Sequence, residues 1–358
     1  MTTTAAGADT GRPPRQEPPG RPADGGRRAT TRRLFGLVAA LLLVAAAILL
    51  AIAVGARTVP VGDILDAVRG RPVPQEVRLV VDLRLARTAL GLLAGAALAA
   101  SGALVQAVTR NPLADPGILG TTSGSAFAVA MAAGLSGLDS SLGLLLAAFV
   151  GAALATVGVH AVGSLGRNGG SPVQLVLAGT ALGAVLTGIT SAMVMADPQR
   201  FTVMQTWRAG SLADRGWAHI PVALPFLVVG LVLALGISGS LNAVALGDDL
   251  ATALGANVAL VRGLAILAVT LLAGTATALA GPIAFVGLMV PHAARRICGP
   301  DQRWILAYSL LLGPALLLLA DVLGRIVMPP GELPAGIVTA FLGAPVLIWL
   351  ARGRMAEL

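Results

Sequence analysis

Residues 82–126 read DLRLARTALGLLAGAALAASGALVQAVTRNPLADPGILGTTSGSA, and the fold follows from this stretch. Its first half is an apolar run rich in Ala, Gly and Leu, and about 20 such residues let a helix cross a bilayer. Pro112 and Pro116 end the run, because proline cannot continue a helix. Asp115 before Pro116 is typical of a helix start, with Asp as the N-cap. The stretch therefore predicts a membrane-spanning helix, a tight reversal and a second helix.

The composition of the whole chain also indicates a membrane protein. Of its 358 residues, 56% are hydrophobic and 12% are charged, whereas a soluble domain is about 45–50% apolar and about 25% charged. The candidate spans are 34–54, 86–108, 116–136, 142–164, 173–196, 220–238, 260–280, 283–297, 304–326 and 333–350. We predict an all-α integral membrane protein with about ten transmembrane helices, some short or broken by Gly or Pro.

The N-terminal residues 1–33 differ from the rest of the chain. They are rich in Pro, Gly, Thr and Arg and contain no apolar run, which predicts a disordered basic cytoplasmic tail before a ten-helix domain over 34–358. The end of this segment, TTRRLFGL, also resembles a twin-arginine export signal, whose cleavage would leave nine spans. Because further spans follow, we favour a first transmembrane helix. With ten spans, a small majority of the loop and tail arginines lies on the same side as the N-terminus. Because arginine is enriched on the cytoplasmic side, we expect both termini in the cytoplasm.

The residue types exclude several chemistries. All 25 basic residues are arginine, so a P-loop lysine and a lysine Schiff base are impossible. Cys298 is the single cysteine, and the three histidines lie far apart in sequence, which argues against a metal centre. We predict no catalytic residue, no metal, no cofactor bound by this chain and no nucleic-acid partner. The 45 glycines are typical of closely packed membrane helices.

Three further motifs follow the opening stretch: ALGDDLATALGANV (245–258), GPIAFVGLMVPHAARRICGPDQR (281–303) and LLLADVLGRIVMPPGELPAGIVTAFLGAPVLIWL (317–350). The first predicts a helix too short to cross a membrane, with Asp248 as its cap, Leu250 and Leu254 on one face, and Gly255 at its end. In the last motif Asp321 and Arg325 are one turn apart, which favours an ion pair.

These ordered motifs resemble the FecCD-type permeases of iron-siderophore, haem and vitamin B12 ABC importers. The resemblance covers about 270 residues and implies a type II ABC importer permease arrangement, with cytoplasmic coupling helices at about 241–258. It implies ATPase coupling through Leu246, Gly247, Asp248, Leu250, Leu254 and Gly255. It implies an inner gate at Asn111, Pro112 and Leu113, and a pathway wall at Ser123, Gly124 and Ser125. It implies docking of a binding protein on Arg84, Arg87 and Arg325.

Each of these assignments has a simpler alternative. The 111–113 segment could be a plain turn, 123–125 could be packing residues, and 245–258 could be a solvated connecting helix. The three arginines could reach lipid headgroups instead of a partner protein. These alternatives remain open at the level of sequence.

The function implied by the resemblance is that of a transmembrane permease subunit of an ABC importer in the cell membrane. It would translocate an iron-siderophore or related metal chelate delivered by an extracytoplasmic binding protein. The expected partners are a separate ATPase subunit that uses ATP, a second permease copy or a related chain, and membrane lipid. Cobalamin or haem is the alternative cargo. An ion-coupled secondary transporter is less favoured, since Asp and Glu fall almost entirely at predicted span ends.

Overall fold

A computed structural model describes residues 23–355, apart from 56, 136–139, 165–171, 214 and 330. The described residues are all-helical, with one 3₁₀ turn at Pro116–Leu119. The helices are α1 (Ala23–Ala53), α2 (Val61–Val68), α3 (Gln75–Thr109), α4 (Thr121–Ala132), α5 (Ser141–Ser164), α6 (Pro172–Ala196), α7 (Pro198–Arg208), α8 (His219–Ala245), α9 (Asp248–Ala253), α10 (Val258–Ala280), α11 (Val286–Cys298), α12 (Gln302–Val327) and α13 (Ala335–Met355).

The all-α membrane fold is confirmed. Seven helices among the described residues are long and apolar enough to cross a membrane, namely α1, α3, α5, α6, α8, α10 and α12, and α13 contains a shorter apolar helix at Ala335–Ile348. The two remaining predicted spans contain α4 and α11, which have only 12 and 13 residues. All ten predicted segments therefore contain a helix, and three of them are short or interrupted.

One boundary and two short helices differ from the sequence-based prediction. The first helix begins at Ala23 rather than Leu34. Residues 23–33, which were predicted to belong to the disordered tail, are therefore the first turns of α1. Residues 1–22, where the rest of the predicted disordered tail falls, lie outside the described residues. The sequence also did not indicate α2 and α7, which are short helices between the spans.

The bundle has two ends, which we name by the short helices found there. At the α9 end, the start of α1 meets the start of α12, where the Tyr308 hydroxyl donates to the Arg33 carbonyl at 2.6 Å. At the α2 end, the start of α5 meets the start of α8 through Ser141 and His219, whose Oγ and Nε2 are 2.7 Å apart. The chain starts and finishes its path through the bundle at the α9 end.

The long helix α3 forms the centre of the bundle and packs against α10, α11 and α12. Small residues allow this close approach. A Cβ on Gly102 would overlap the carbonyl group of Gly287 at the start of α11. Without water in a bilayer, such backbone contact is a main source of attraction between helices. Gly102 therefore holds α11 directly against α3.

Two spans are broken where they meet in the middle of the bundle. The chain between α3 and α4 turns back into the bundle, so that Pro116 reaches the same level as Leu98 and Gly287. The chain between α10 and α11, residues 281–285, is also irregular, and Phe285 has a left-handed φ of 70°. This explains why α4 and α11 are short: the 3₁₀ turn Pro116–Leu119 precedes α4, and irregular chain at 281–285 precedes α11. Irregular backbone at this depth is stable only inside protein or beside a polar cavity.

Candidate functional site

A cavity of about 710 Å³ lies where the two broken spans meet. It is lined by the 281–285 segment, the end of α7, the reversal before α4, and one face of α13. Its polar groups come from Asp115, Thr122 and Arg208, and most other lining residues are apolar, including Ile337 and Phe341. Asp115 also accepts a hydrogen bond from the Gly117 N–H at 2.8 Å, as predicted for an N-cap. Such a wall can let a bulky solute pass without binding it tightly.

The predicted pathway residues 123–125 lie mainly elsewhere. Gly124 and Ser125 are buried against α5. A Cβ on Gly124 would overlap the Ala155 side chain and the Gly151 carbonyl, and Ser125 Oγ donates to the Ala148 carbonyl at 2.7 Å. Ser123 is partly buried and its hydroxyl donates to the Gly120 carbonyl at 3.3 Å. Gly124 and Ser125 thus pack α4 on α5 and do not line the 710 Å³ cavity, and their role as a pathway wall stays a prediction. Thr122, the residue before this segment, lines the cavity.

The predicted gate residues form a tight turn at the α9 end. Asn111 Oδ1 accepts the Leu113 N–H at 3.0 Å, and the Ala114 N–H donates to the Asn111 carbonyl at 3.1 Å. Asn111 is exposed, and Pro112 and Leu113 are partly exposed. The turn is thus at an open end of the bundle, where a gate could act. The gating role itself stays a prediction.

Gln106 holds the reversal in place, and the sequence alone did not single it out. This side chain is 2% exposed. Its Nε2 contacts the carbonyls of Ala114, Gly287 and Leu288 at 3.2–3.4 Å, and its Oε1 accepts from Arg295 at 3.3 Å. One amide therefore connects the turn after α3 to the first turn of α11. The only signal in the sequence was a polar residue within an otherwise apolar run.

The predicted coupling segment forms the short helix α9, which is exposed at the end of the bundle. Leu246, Leu250 and Leu254 are spaced four apart and are 62%, 49% and 63% exposed. Gly247 and Gly255 have φ values of 119° and 83°, which favour glycine and let the chain turn sharply at both ends. Asp248 is the first helical residue rather than the cap, because Gly247 is the N-cap. The predicted short helix ending before Gly255 is confirmed.

At the α2 end, Arg84 and Arg325 bind the last turn of α1. Arg84 donates to the carbonyls of Ile52, Ala53 and Arg57 at 2.5–3.0 Å. Arg325 donates to the carbonyls of Ala51 and Val54 at 2.7 and 2.9 Å. Both side chains are buried, at 6% and 3% exposure for the whole residues. They satisfy carbonyl groups that a helix end leaves without partners.

Asp321 is the centre of the same cluster. It is fully buried and pairs with Arg325, as predicted. Arg87 Nε donates to both of its carboxylate oxygens, and Arg87 Nη2 donates to Oδ1, at distances of 2.8–3.1 Å. Arg87 Nη1 also donates to Glu332 at 2.6 Å. The three arginines predicted to dock a binding protein are thus close together, and they line an open cavity of about 600 Å³. However, all three are already bonded within the chain, so docking stays a prediction that requires exchange of partners.

The fold and the site define an all-helical permease of the membrane, with broken spans around a central cavity. Residues 41–353 match the model of the FecCD transport family, and the chain belongs to this family. It is 47% identical over 306 residues to the ferric enterobactin transport system permease protein FepD of Escherichia coli K12, which covers 85% of this chain and 91% of that protein. It is 42% identical over 330 residues to the iron(3+)-hydroxamate import system permease protein FhuB of Bacillus subtilis 168, and the match covers 90% of this chain and 85% of that protein.

A solved structure is similar over nearly the whole chain. It is an inward-facing conformation of a metal-chelate type ABC transporter, with a TM-score of 0.76 and 27% sequence identity, covering 90% of this chain and 99% of that one. The expected family and permease architecture are therefore confirmed.

Proposed function

We propose that this chain is the transmembrane permease subunit of an ABC importer for ferric siderophores. The relatives at 47% and 42% identity are named for ferric enterobactin and iron(3+)-hydroxamate transport. The central cavity, with its few polar groups, suits a pathway whose selectivity resides in a separate binding protein. In this proposal the chain holds no nucleotide itself, and a partner ATPase supplies the energy.

The observation that carries the proposal is a group of exposed leucines, which we call the leucine face of α9: Leu250 lies within the helix, Leu254 is its C-cap, and Leu246 precedes it. Three leucines in contact with water at the end of a bundle are unfavourable unless a partner covers them. A short helix whose own residue and flanking residues present exposed leucines fits into an apolar groove of another protein. We infer that this groove belongs to the ATPase subunit, so the α9 end of the bundle faces the cytoplasm. In this orientation both termini are cytoplasmic.

The other partners follow from the same orientation. The α2 end, with its arginine cavity, faces outward and receives acidic groups of the binding protein. A second copy or a related permease closes the cavity along α13, whose Phe341 is 77% exposed, and along α6, the least buried of the seven long spans in the described residues. Lipid covers the remaining apolar surface.

Uptake by membrane vesicles tests the proposal. The complex is purified from its native membrane through a tag on this chain and reconstituted with its binding protein. Ferric enterobactin and a ferric hydroxamate, both labelled with ⁵⁵Fe, are the probes, with cobalamin and haem as competitors. Vanadate should abolish uptake, and a protonophore should not. Loss of uptake with the protonophore alone would indicate an ion-coupled transporter. If neither labelled siderophore is taken up but labelled cobalamin or haem is, the cargo assignment is wrong.

Leu254→Arg tests the coupling surface directly. The charged side chain should prevent docking of α9, so that uptake is lost and the ATPase no longer co-purifies. Thr252→Arg is the matched control, because Thr252 is exposed on the same helix but lies on its opposite side. Equal behaviour of the two variants would contradict docking through the leucine face.

A further inference from the structure

Arg110 connects the end of α3 to the coupling helix. It follows the last residue of α3 and has a left-handed φ of 52°. Its Nε donates to the Val244 carbonyl at the end of α8 at 3.0 Å, and its Nη2 pairs with Asp248, the first residue of α9. Asp248 Oδ1 also accepts from Arg262 of α10 at 3.0 Å. One carboxylate is therefore shared by arginines from two different spans.

The backbone at Arg110 indicates that its side chain matters. Glycine is the usual residue where a helix ends in the left-handed conformation, because a Cβ is disfavoured there. Arginine occupies the position here, and its guanidinium bonds to two partners beyond its own helix. The Arg110, Asp248 and Arg262 side chains are 38%, 45% and 18% exposed. The Arg110–Asp248 pair is partly screened by solvent, and a single such pair adds little to stability. Its geometry, however, ties α9 to α3.

The Arg110–Asp248 ion pair is adjacent in sequence to the predicted gate. Arg110 precedes Asn111, and Asn111 Oδ1 holds Leu113 at 3.0 Å. The Ala114 carbonyl that follows is held by Gln106 on the same helix α3. A displacement of Asp248 therefore reaches the turn through one side chain and one peptide bond.

We propose that the Asp248–Arg110 ion pair makes the 111–113 turn follow the movement of α9, and that Arg262 anchors the pair to α10. Arg110 is then a positioning residue, which transmits a displacement to the gate without touching the cargo. The inference rests on the proposed function, since it assumes that an ATPase moves α9. It adds the connection through which that movement arrives at the gate.

Arg110→Gly is the sharpest test. Glycine fits the left-handed backbone, so the variant removes the side chain and keeps the turn. With the reconstituted complex, the binding protein and ⁵⁵Fe-labelled ferric enterobactin or ferric hydroxamate, we expect iron transported per ATP hydrolysed to fall about tenfold, within the usual range of coupling between sites. Asp248→Asn should lower the same ratio, and the double variant should be no worse than either single variant.

Two controls separate positioning from a loss of structure. Asp249→Asn changes the neighbouring exposed carboxylate of α9 and should leave the ratio at the wild-type value. Arg110→Lys keeps the charge and should restore most of the coupling. A merely structural defect would lower the amount of complex and leave transport per ATP unchanged.

The outcomes are distinguishable. If the wild type couples ATP hydrolysis to uptake and Arg110→Gly does so equally well, the inference is wrong and the proposed function stands. A variant series in which Asp249→Asn uncouples as strongly as Asp248→Asn also overturns it. If the wild-type complex neither hydrolyses ATP nor takes up iron, both the proposed function and the inference fail.

Discussion

Arg325→Ala should destabilise this protein even when no binding protein is present. The substitution removes two hydrogen bonds to the carbonyls of Ala51 and Val54 and the ion pair with Asp321. Hydrogen bonds to charged groups contribute about 1.5–3 kcal/mol each. Asp321 keeps its pairing with Arg87, so its charge is not left alone. We expect a loss of about 3 kcal/mol, at the lower end of the roughly 3–5 kcal/mol for breaking a buried pair.

Two comparison variants should lose more and less folding stability than Arg325→Ala. Asp321→Ala leaves Arg87 and Arg325 without their buried counter-charge and should cost more, about 5 kcal/mol. Arg57→Ala removes an ion pair with Glu76 whose side chains are 70% and 75% exposed. An exposed pair contributes at most about 1 kcal/mol, so this change should have almost no effect.

Thermal unfolding in detergent ranks the three variants by Tm, with the fluorescence of the four tryptophans as the probe. At about 2–4 °C per kcal/mol, Arg325→Ala should lower the Tm by roughly 6–12 °C, and Asp321→Ala by more. Arg57→Ala should unfold with the wild type. A wild-type Tm for Arg325→Ala would refute the reasoning, because an arginine that serves only to dock a partner can be removed without cost to the fold.

Three further changes test other parts of the structure. Gly124→Ala should lower the Tm, because the new Cβ would overlap α5, and Gly236→Ala should not, because no atom lies within 4 Å of its new Cβ. Gln106→Leu should reduce the protection of the 111–120 segment from hydrogen exchange, since buried carbonyls lose their partner at a cost of about 1–3 kcal/mol. Glu332→Gln should strengthen capture of the binding protein several-fold in a surface-binding assay, because the neutral amide holds Arg87 Nη1 less tightly than the carboxylate does.

The last of these needs a matched control at the same end of the bundle. Glu76→Gln removes the partner of the exposed Arg57 and should leave capture unchanged. If Glu332→Gln weakens capture or has no effect while Arg87→Ala abolishes it, Glu332 is not an internal competitor for the binding protein. If neither change alters capture, docking through Arg87 is wrong.

Much of the fold could be predicted because bilayer crossing depends on local composition. An apolar run such as 86–108 has no stable place in water, and its length alone indicates a span. Caps and turns are equally local: Asp115 before Pro116 and Gly255 after α9 act on neighbouring peptide groups. The Asp321–Arg325 pair was predictable for the same reason, since one helical turn separates the two residues.

The site was predictable only where its parts are local. The exposed position of Leu250 and Leu254 follows from their spacing along the chain, whereas the partners of Arg84, Arg110 and Gln106 come from helices far away in sequence. Residues 123–125 illustrate this: small residues suit both a pathway wall and a packed interface, and the contacts of Gly124 and Ser125 with α5 appear only in the tertiary structure.

The sequence by itself determined that this protein spans a membrane, where its spans break and to which family its motifs point, because each depends on short stretches of chain. The tertiary structure alone decided how the charges at each end are used. Arg84 and Arg325 cap α1, and Arg110 joins the turn at 111–113 to α9, since these bonds exist only when separate helices are packed side by side.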